Sequence, residues 1–191
     1  MRKKDAAPLS CILLSMCIFL TCVFLWTGTG FAADVAITSV GQSPDGMMVK
    51  VLMRKLGIEP DYDAMMKSDA LKDQKVLIAV VGGSSKGLGA AGIDKEEERK
   101  RAVTLIGDAK EKNIKVLVMH VGGEGRRGEL SDLFARAVAP LGERVIVVKS
   151  GNADNLFGAT KAQDADLIEV ENIQAAVTPL EATLKEWGIV Q

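Results

Sequence analysis

Lys75-Val76-Leu77-Ile78-Ala79-Val80-Val81 runs straight into Gly82-Gly83-Ser84-Ser85, and the reading of this stretch decides the fold. A strand with one wet face alternates apolar and polar residues. This run does not alternate, so both of its faces must be covered, as in a parallel sheet between helices. Val116-Leu117-Val118-Met119 within Lys115 to Val121 has the same character. Val35 to Val40 and Arg144 to Lys149 are two further β-branched runs, and Asp166 to Val170 is a weaker fifth. Helical patterns fall between them. Met47 to Leu56 stops at Gly57, and Asp94 with Glu97 forms a capping box that opens Lys95 to Lys112. Leu130 to Val138, Ile173 to Trp187 and a short helix over Asn155 to Lys161 complete the set. Asp61 to Asp73 reads as an extended segment plus one helical turn. The alternation predicts an α/β fold: a single doubly wound, mostly parallel sheet of about five strands flanked by helices, a flavodoxin-like or Rossmann-like three-layer sandwich.

Residues 1–32 have a different grammar. Arg2, Lys3 and Lys4 precede an uncharged run from Pro8 to Trp26, and Gly30-Phe31-Ala32 supplies small residues where signal peptidase needs them. Cleavage after Ala32 is expected, which makes residues 33–191 one extracytoplasmic α/β domain, periplasmic or secreted. The competing reading is an uncleaved anchor, since Leu9 to Trp26 nearly reaches the roughly 20 apolar residues a bilayer requires. No second membrane segment follows.

Cys11, Cys17 and Cys22 all lie in this leader, so the mature chain has no thiol chemistry and no disulfide. Its stability must come from a hydrophobic core. The whole chain carries a net charge of −1, and loss of Arg2, Lys3, Lys4 and Asp5 makes it slightly more acidic. With Trp187 and Tyr62 as the only Trp and Tyr beyond the leader, nucleic-acid binding is excluded as a class.

In an open parallel sheet, ligands bind beyond the carboxyl ends of the strands. Here that edge would carry Gly41-Gln42-Ser43-Pro44-Asp45-Gly46, then Gly82 to Gly92, then His120-Val121-Gly122-Gly123-Glu124-Gly125-Arg126-Arg127-Gly128, and finally Lys149-Ser150-Gly151-Asn152. Glycines crowd the second and third stretches and bring bare backbone amides close to any ligand. Lys86, Arg126, Arg127 and Lys149 add positive charge; Ser43, Ser84, Ser85 and Ser150 add hydroxyls. Amides and arginine forks suit a carboxylate or phosphate. The bland reading is that such loops are glycine-rich in most α/β proteins.

Sequence motifs for nucleotides fail in detail. Gly87-Leu88-Gly89-Ala90-Ala91-Gly92 matches G-x-G-x-x-G but starts too far beyond its strand, and Leu88-Gly89 stands where a Walker loop needs Lys-Ser/Thr. The glycine pattern of short-chain dehydrogenases fits Gly83 to Gly89, yet Tyr62 has Met66 where the lysine of that family would fall. Ser84 and Ser85 sit in no G-x-S-x-G elbow. His120 is the sole histidine and ends a buried strand near Glu124. It is a candidate general base, a ligand hydrogen-bonder, or a neutral ring that secures loop backbone. One histidine disfavours zinc, and no metal or other cofactor is expected. The run Lys95 to Arg101 reads as a solvated helix face, and Met47, Met48, Met53, Met65 and Met66 as core packing.

The strings Ile37 to Asp45, Val81 to Asp94 and His120 to Gly128 resemble an uncharacterised family of secreted bacterial α/β proteins classed only as a domain of unknown function. The resemblance covers nearly the whole mature chain. It implies an extracytoplasmic α/β domain and supplies no activity. The expected function therefore rests on the loops: a binding domain in which Gln42, Ser43, Ser84, Ser85, Lys86, Gly87, His120, Gly122, Gly123, Arg126, Arg127 and Ser150 hold a small anionic ligand, with a membrane transporter or sensor as the partner it would serve. The alternative is a hydrolase or transferase on an anionic substrate, with His120 as base and Glu124 orienting it.

Overall fold

The computed structural model describes residues 33–190, so the leader and its cleavage site lie outside the described residues. Six strands form one all-parallel sheet in the order β2-β1-β3-β4-β5-β6. They are β1 Val35–Val40, β2 Asp61–Tyr62, β3 Val76–Val81, β4 Lys115–His120, β5 Arg144–Val148 and β6 Asp166–Val170. The helices are α1 Asp45–Lys55, α2 Ser85–Ala91, α3 Lys95–Glu111, α4 Glu129–Val138, α5 Leu156–Thr160 and α6 Val177–Glu186. The five strands expected are present, and the sixth, β2, is the two-residue extended segment within Asp61 to Asp73. A three-residue helical turn at Ser68–Ala70 follows it.

Both faces of the central strands are buried, which is why their apolar runs are continuous. Leu77, Ala79 and Val81 of β3 pack toward α3, α4 and α5 through Ala102, Leu105, Phe134 and Phe157. Val76, Ile78 and Val80 point the other way, against Val49 and Met53 of α1 and Leu180 and Leu184 of α6. Met53 and Met66 are core as expected, whereas Met47 and Met48 are exposed on α1.

Two local expectations are corrected. Gly82 to Gly92 is not one long loop. Ser84 caps a helix there, its Oγ accepting the Gly87 N–H at 3.0 Å, and Gly92 ends it in a left-handed conformation. Three glycines in a short span argue against helix by propensity, but burial of Leu88 decides otherwise. The second correction concerns Lys95 to Arg101. The capping box of Asp94 and Glu97 is present, yet Glu98 is fully buried and Arg101 nearly so. These two form an internal ion pair behind β1.

The chain leaves β1 toward β2 and then returns to the other side at β3. The reversal of order therefore lies between β1 and β3, where a doubly wound sheet opens its crevice.

Candidate functional site

All six strands end at the same rim, but the loops there divide into two groups. The first group is spent on the fold. The Gln42 amide donates to Ala64 O and Glu98 Oε1, both at 2.9 Å. Ser43 is buried; its N–H donates to Gly82 O, and its Oγ accepts the Asp45 N–H. Ser84 is the cap of α2, and a side chain on Gly87 would run into Gln42 O. Ser85 and Lys86 are exposed on α2; Ser85 edges a shallow hollow against α4, and Lys86 lies outside the cleft described below.

Arg127 is also withdrawn from any ligand. Its guanidinium forks onto Asp132 at 2.7 and 3.1 Å and onto Asp154 at 2.9 and 2.9 Å, with Gly151 O as a further acceptor. It pins α4 to the segment after β5. These bonds raise the Arg127 pKa above its ordinary value, the hydrogen bond with Asp154 first and that with Asp132 second, and the bond from Arg127 lowers that of Asp132. Asp154 is held down to about 2 by its hydrogen bond from Arg127, with burial opposing it weakly. A depressed carboxylate stabilises the fold above its unfolded value near 4 and stops doing so as pH falls through the folded value. The clamp should therefore weaken between about pH 4 and 2. Acid titration of unfolding in wild type and Arg127→Ala checks this, since the variant should lose that part of the pH dependence.

His120 is fully buried as well. Its Nδ1 lies 3.0 Å from Val81 O and its Nε2 3.2 Å from Gly123 O, while Phe157 stacks on the ring at 5.3 Å. Gly151 closes over the Nε2 edge, where a Cβ would stand 2.7 Å away. The ring secures strand-end backbone and presents neither nitrogen to Glu124 or to a substrate. A general-base role, the chemistry on which the enzyme alternative rests, has no geometric support here.

The second group forms a cleft of about 510 Å³ on the α1 and α6 side of the rim. Asp45, Gly122, Gly123, Glu124, Arg126 and Ser150 line it, with Glu171 and Asn172 on the far wall. Asp45 opens α1 and is 1% exposed. Its Oδ1 stands 3.3 Å from Arg126 Nε, and its Oδ2 is buried with no hydrogen-bond partner among the described residues. Gly82 and Gly122 make room for that carboxylate, since a Cβ on either would come within 2.9 Å of Oδ2. Arg126 meets this carboxylate through Nε, its side chain is 40% exposed and lines the cleft, and no hydrogen bond engages its Nη groups among the described residues. Ser150 Oγ accepts the Glu124 N–H at 3.3 Å and ties the third loop to the fourth. Gly123 adopts φ +60°, a turn that lets Ser150 approach.

Of the residues expected from the sequence, then, Gly122, Gly123, Glu124, Arg126 and Ser150 come together. Gln42, Ser43, Ser84, Ser85, Lys86, Gly87, His120 and Arg127 do not line this cleft. Asp45 joins the cleft residues because the helix begins two residues before the expected Met47, which puts an acid in its first turn, where the dipole favours one. Among the described residues no group of three or more His, Cys, Asp or Glu could hold a metal ion, and no helix is long and apolar enough to cross a membrane.

No curated protein matches this chain. Among solved structures, a mutant of the esterase AlinE4 aligns with a TM-score of 0.31 and 14% identity over 78% of this chain and 80% of that one. The family model described as "Domain of unknown function (DUF6305)" matches residues 32–184, and the chain belongs to that family.

Proposed function

We propose that this is an exported, non-enzymatic binding domain whose cleft at the carboxyl edge of the sheet holds a small ligand through an anionic group, a carboxylate or phosphate. The leader read in residues 1–32 is the reason for placing it outside the cytoplasm, where it would serve a transporter or sensor in the membrane. One observation carries the binding reading. Arg126 rests its Nε on a buried carboxylate in the lining of a glycine-rich cleft, and no hydrogen bond engages its Nη groups among the described residues. That is the arrangement in which a guanidinium offers a pre-oriented fork to an incoming anion. The burial of His120, with each ring nitrogen facing a main-chain carbonyl, favours binding over catalysis.

A thermal-shift screen of residues 33–191 against carboxylates, phosphate and sulfate tests the proposal. A ligand at 100 times its Kd adds about 2.7 kcal/mol of stability, or roughly 5–10 °C in a domain of this size. Arg126→Ala should abolish that shift at the same concentration. Arg126→Lys should keep only part of it, because an ammonium lacks the fork. If no anion raises the melting temperature and Arg126→Ala leaves every profile unchanged, the reading fails.

A further inference from the structure

The charges around the cleft are badly matched to a plain anion. Arg126 is the one guanidinium in its lining, yet three carboxylates share that lining: Asp45 at the start of α1, Glu124 in the turn that carries Arg126, and Glu171 just beyond β6. Lys149 answers Glu171 only across 3.9 Å, with both side chains largely in water, where such a pair contributes little. Asp45 is half-compensated, since Arg126 meets Oδ1 and leaves Oδ2 buried and unpartnered. A ligand bearing negative charge alone would gain at Arg126 and meet opposing, solvent-weakened fields from the exposed Glu124 and Glu171.

We infer that the ligand is a zwitterion, an amino acid or a similar ammonium-bearing acid. Its carboxylate meets the Nη groups of Arg126 and its ammonium faces the carboxylates of Glu124 and Glu171. This rests on the proposed binding role of the cleft and names its substrate class. Such a ligand turns the mismatch into a selection rule. An acid without an amine is repelled by one wall, and an amine without an acid leaves Arg126 unanswered. Asn172, next to Glu171 in the lining, accepts the Ala175 N–H on its amide oxygen at 3.0 Å and keeps its amide nitrogen for the ligand's remaining polar groups. The buried, unpartnered Oδ2 of Asp45 adds negative charge behind Arg126 and no further donor.

The experiment is calorimetry on residues 33–191 with probes matched in size: alanine against propionate and isopropylamine, and δ-aminovalerate against glutarate and cadaverine. In wild type, at least one zwitterion should bind tenfold or more tightly than its amine-free acid and its acid-free amine. Replacing both walls with Glu124→Gln and Glu171→Gln should shrink the preference over the acid to less than threefold, with the circular dichroism spectrum unchanged. Acids that bind wild type as well as their zwitterions overturn the inference, as does a preference that survives the double substitution. Either result leaves anion binding at Arg126 standing. Should no probe bind and Arg126→Ala alter nothing, both readings fall together.

Discussion

Arg101→Ala is expected to cost about 3–5 kcal/mol of stability, which lowers the melting temperature by roughly 6–20 °C. The guanidinium is enclosed, and every donor on it is used. Nε and Nη2 hold Glu98 at 2.7 and 2.9 Å, Nη1 reaches Met66 O at 2.7 Å and Thr38 Oγ1 at 3.2 Å, and Nη2 also reaches Ser39 O. Glu98 in turn accepts the Gly41 N–H and the Gln42 amide, both at 2.9 Å. Removing Arg101 leaves a buried carboxylate without its counter-charge and strips two main-chain carbonyls of their donors. The double variant Glu98→Gln, Arg101→Met should be less damaging than Arg101→Ala alone, because it removes both charges and fills the space. Chemical denaturation of the three proteins decides the matter. A loss below about 1 kcal/mol for Arg101→Ala would mean the pair is solvated.

Gly122→Ala should separate binding from folding. A Cβ at this position would overlap Cβ and Cγ of Arg126 and stand 2.8 Å from Asp45 Oδ2. Rotation of the Arg126 side chain relieves the clash at Cγ but not at Cβ, so the Glu124–Arg126 turn must shift as well; the strain is confined to this rim turn, and the sheet should keep its fold with a lower melting temperature. Binding should not survive, because the fork then leaves its carboxylate rest. Charge-assisted hydrogen bonds contribute about 1.5–3 kcal/mol, which corresponds to an affinity loss of roughly 10- to 150-fold for the tightest probe. Gly125→Ala is the control, since the space around its Cβ is open and affinity should hold within about threefold. Equal affinities for Gly122→Ala and wild type would remove Arg126 from the site.

The sheet was legible because a covered parallel strand leaves a continuous apolar run, and Val76–Val81 can do little else. The two-residue β2 left no such trace, since Asp61 and Tyr62 carry no pattern long enough to have a period. Helix α2 was hidden by its own composition, serine and glycine at positions that packing of Leu88 overrides. The site was half legible. Glycines, an arginine pair and a serine at strand ends pointed to the carboxyl rim, where the cleft lies, but adjacency could not tell Arg126 from Arg127. That difference is made by Asp132 and Asp154, which reach Arg127 from α4 and from the segment after β5. The burial of Glu98 and Arg101 was equally invisible, because acids leading and bases following is the habit of solvated helices too.

The shortness of β2 has a consequence for how this molecule keeps to itself. It pairs with Ala36 and Ile37 alone, so the outer margin of β1 beyond them is bare of any neighbouring strand. Exposed margins recruit strands from other molecules. Here the vacant acceptor on Ser39 is occupied by a side chain reaching over from α3, so a stranger's backbone finds the docking point already taken.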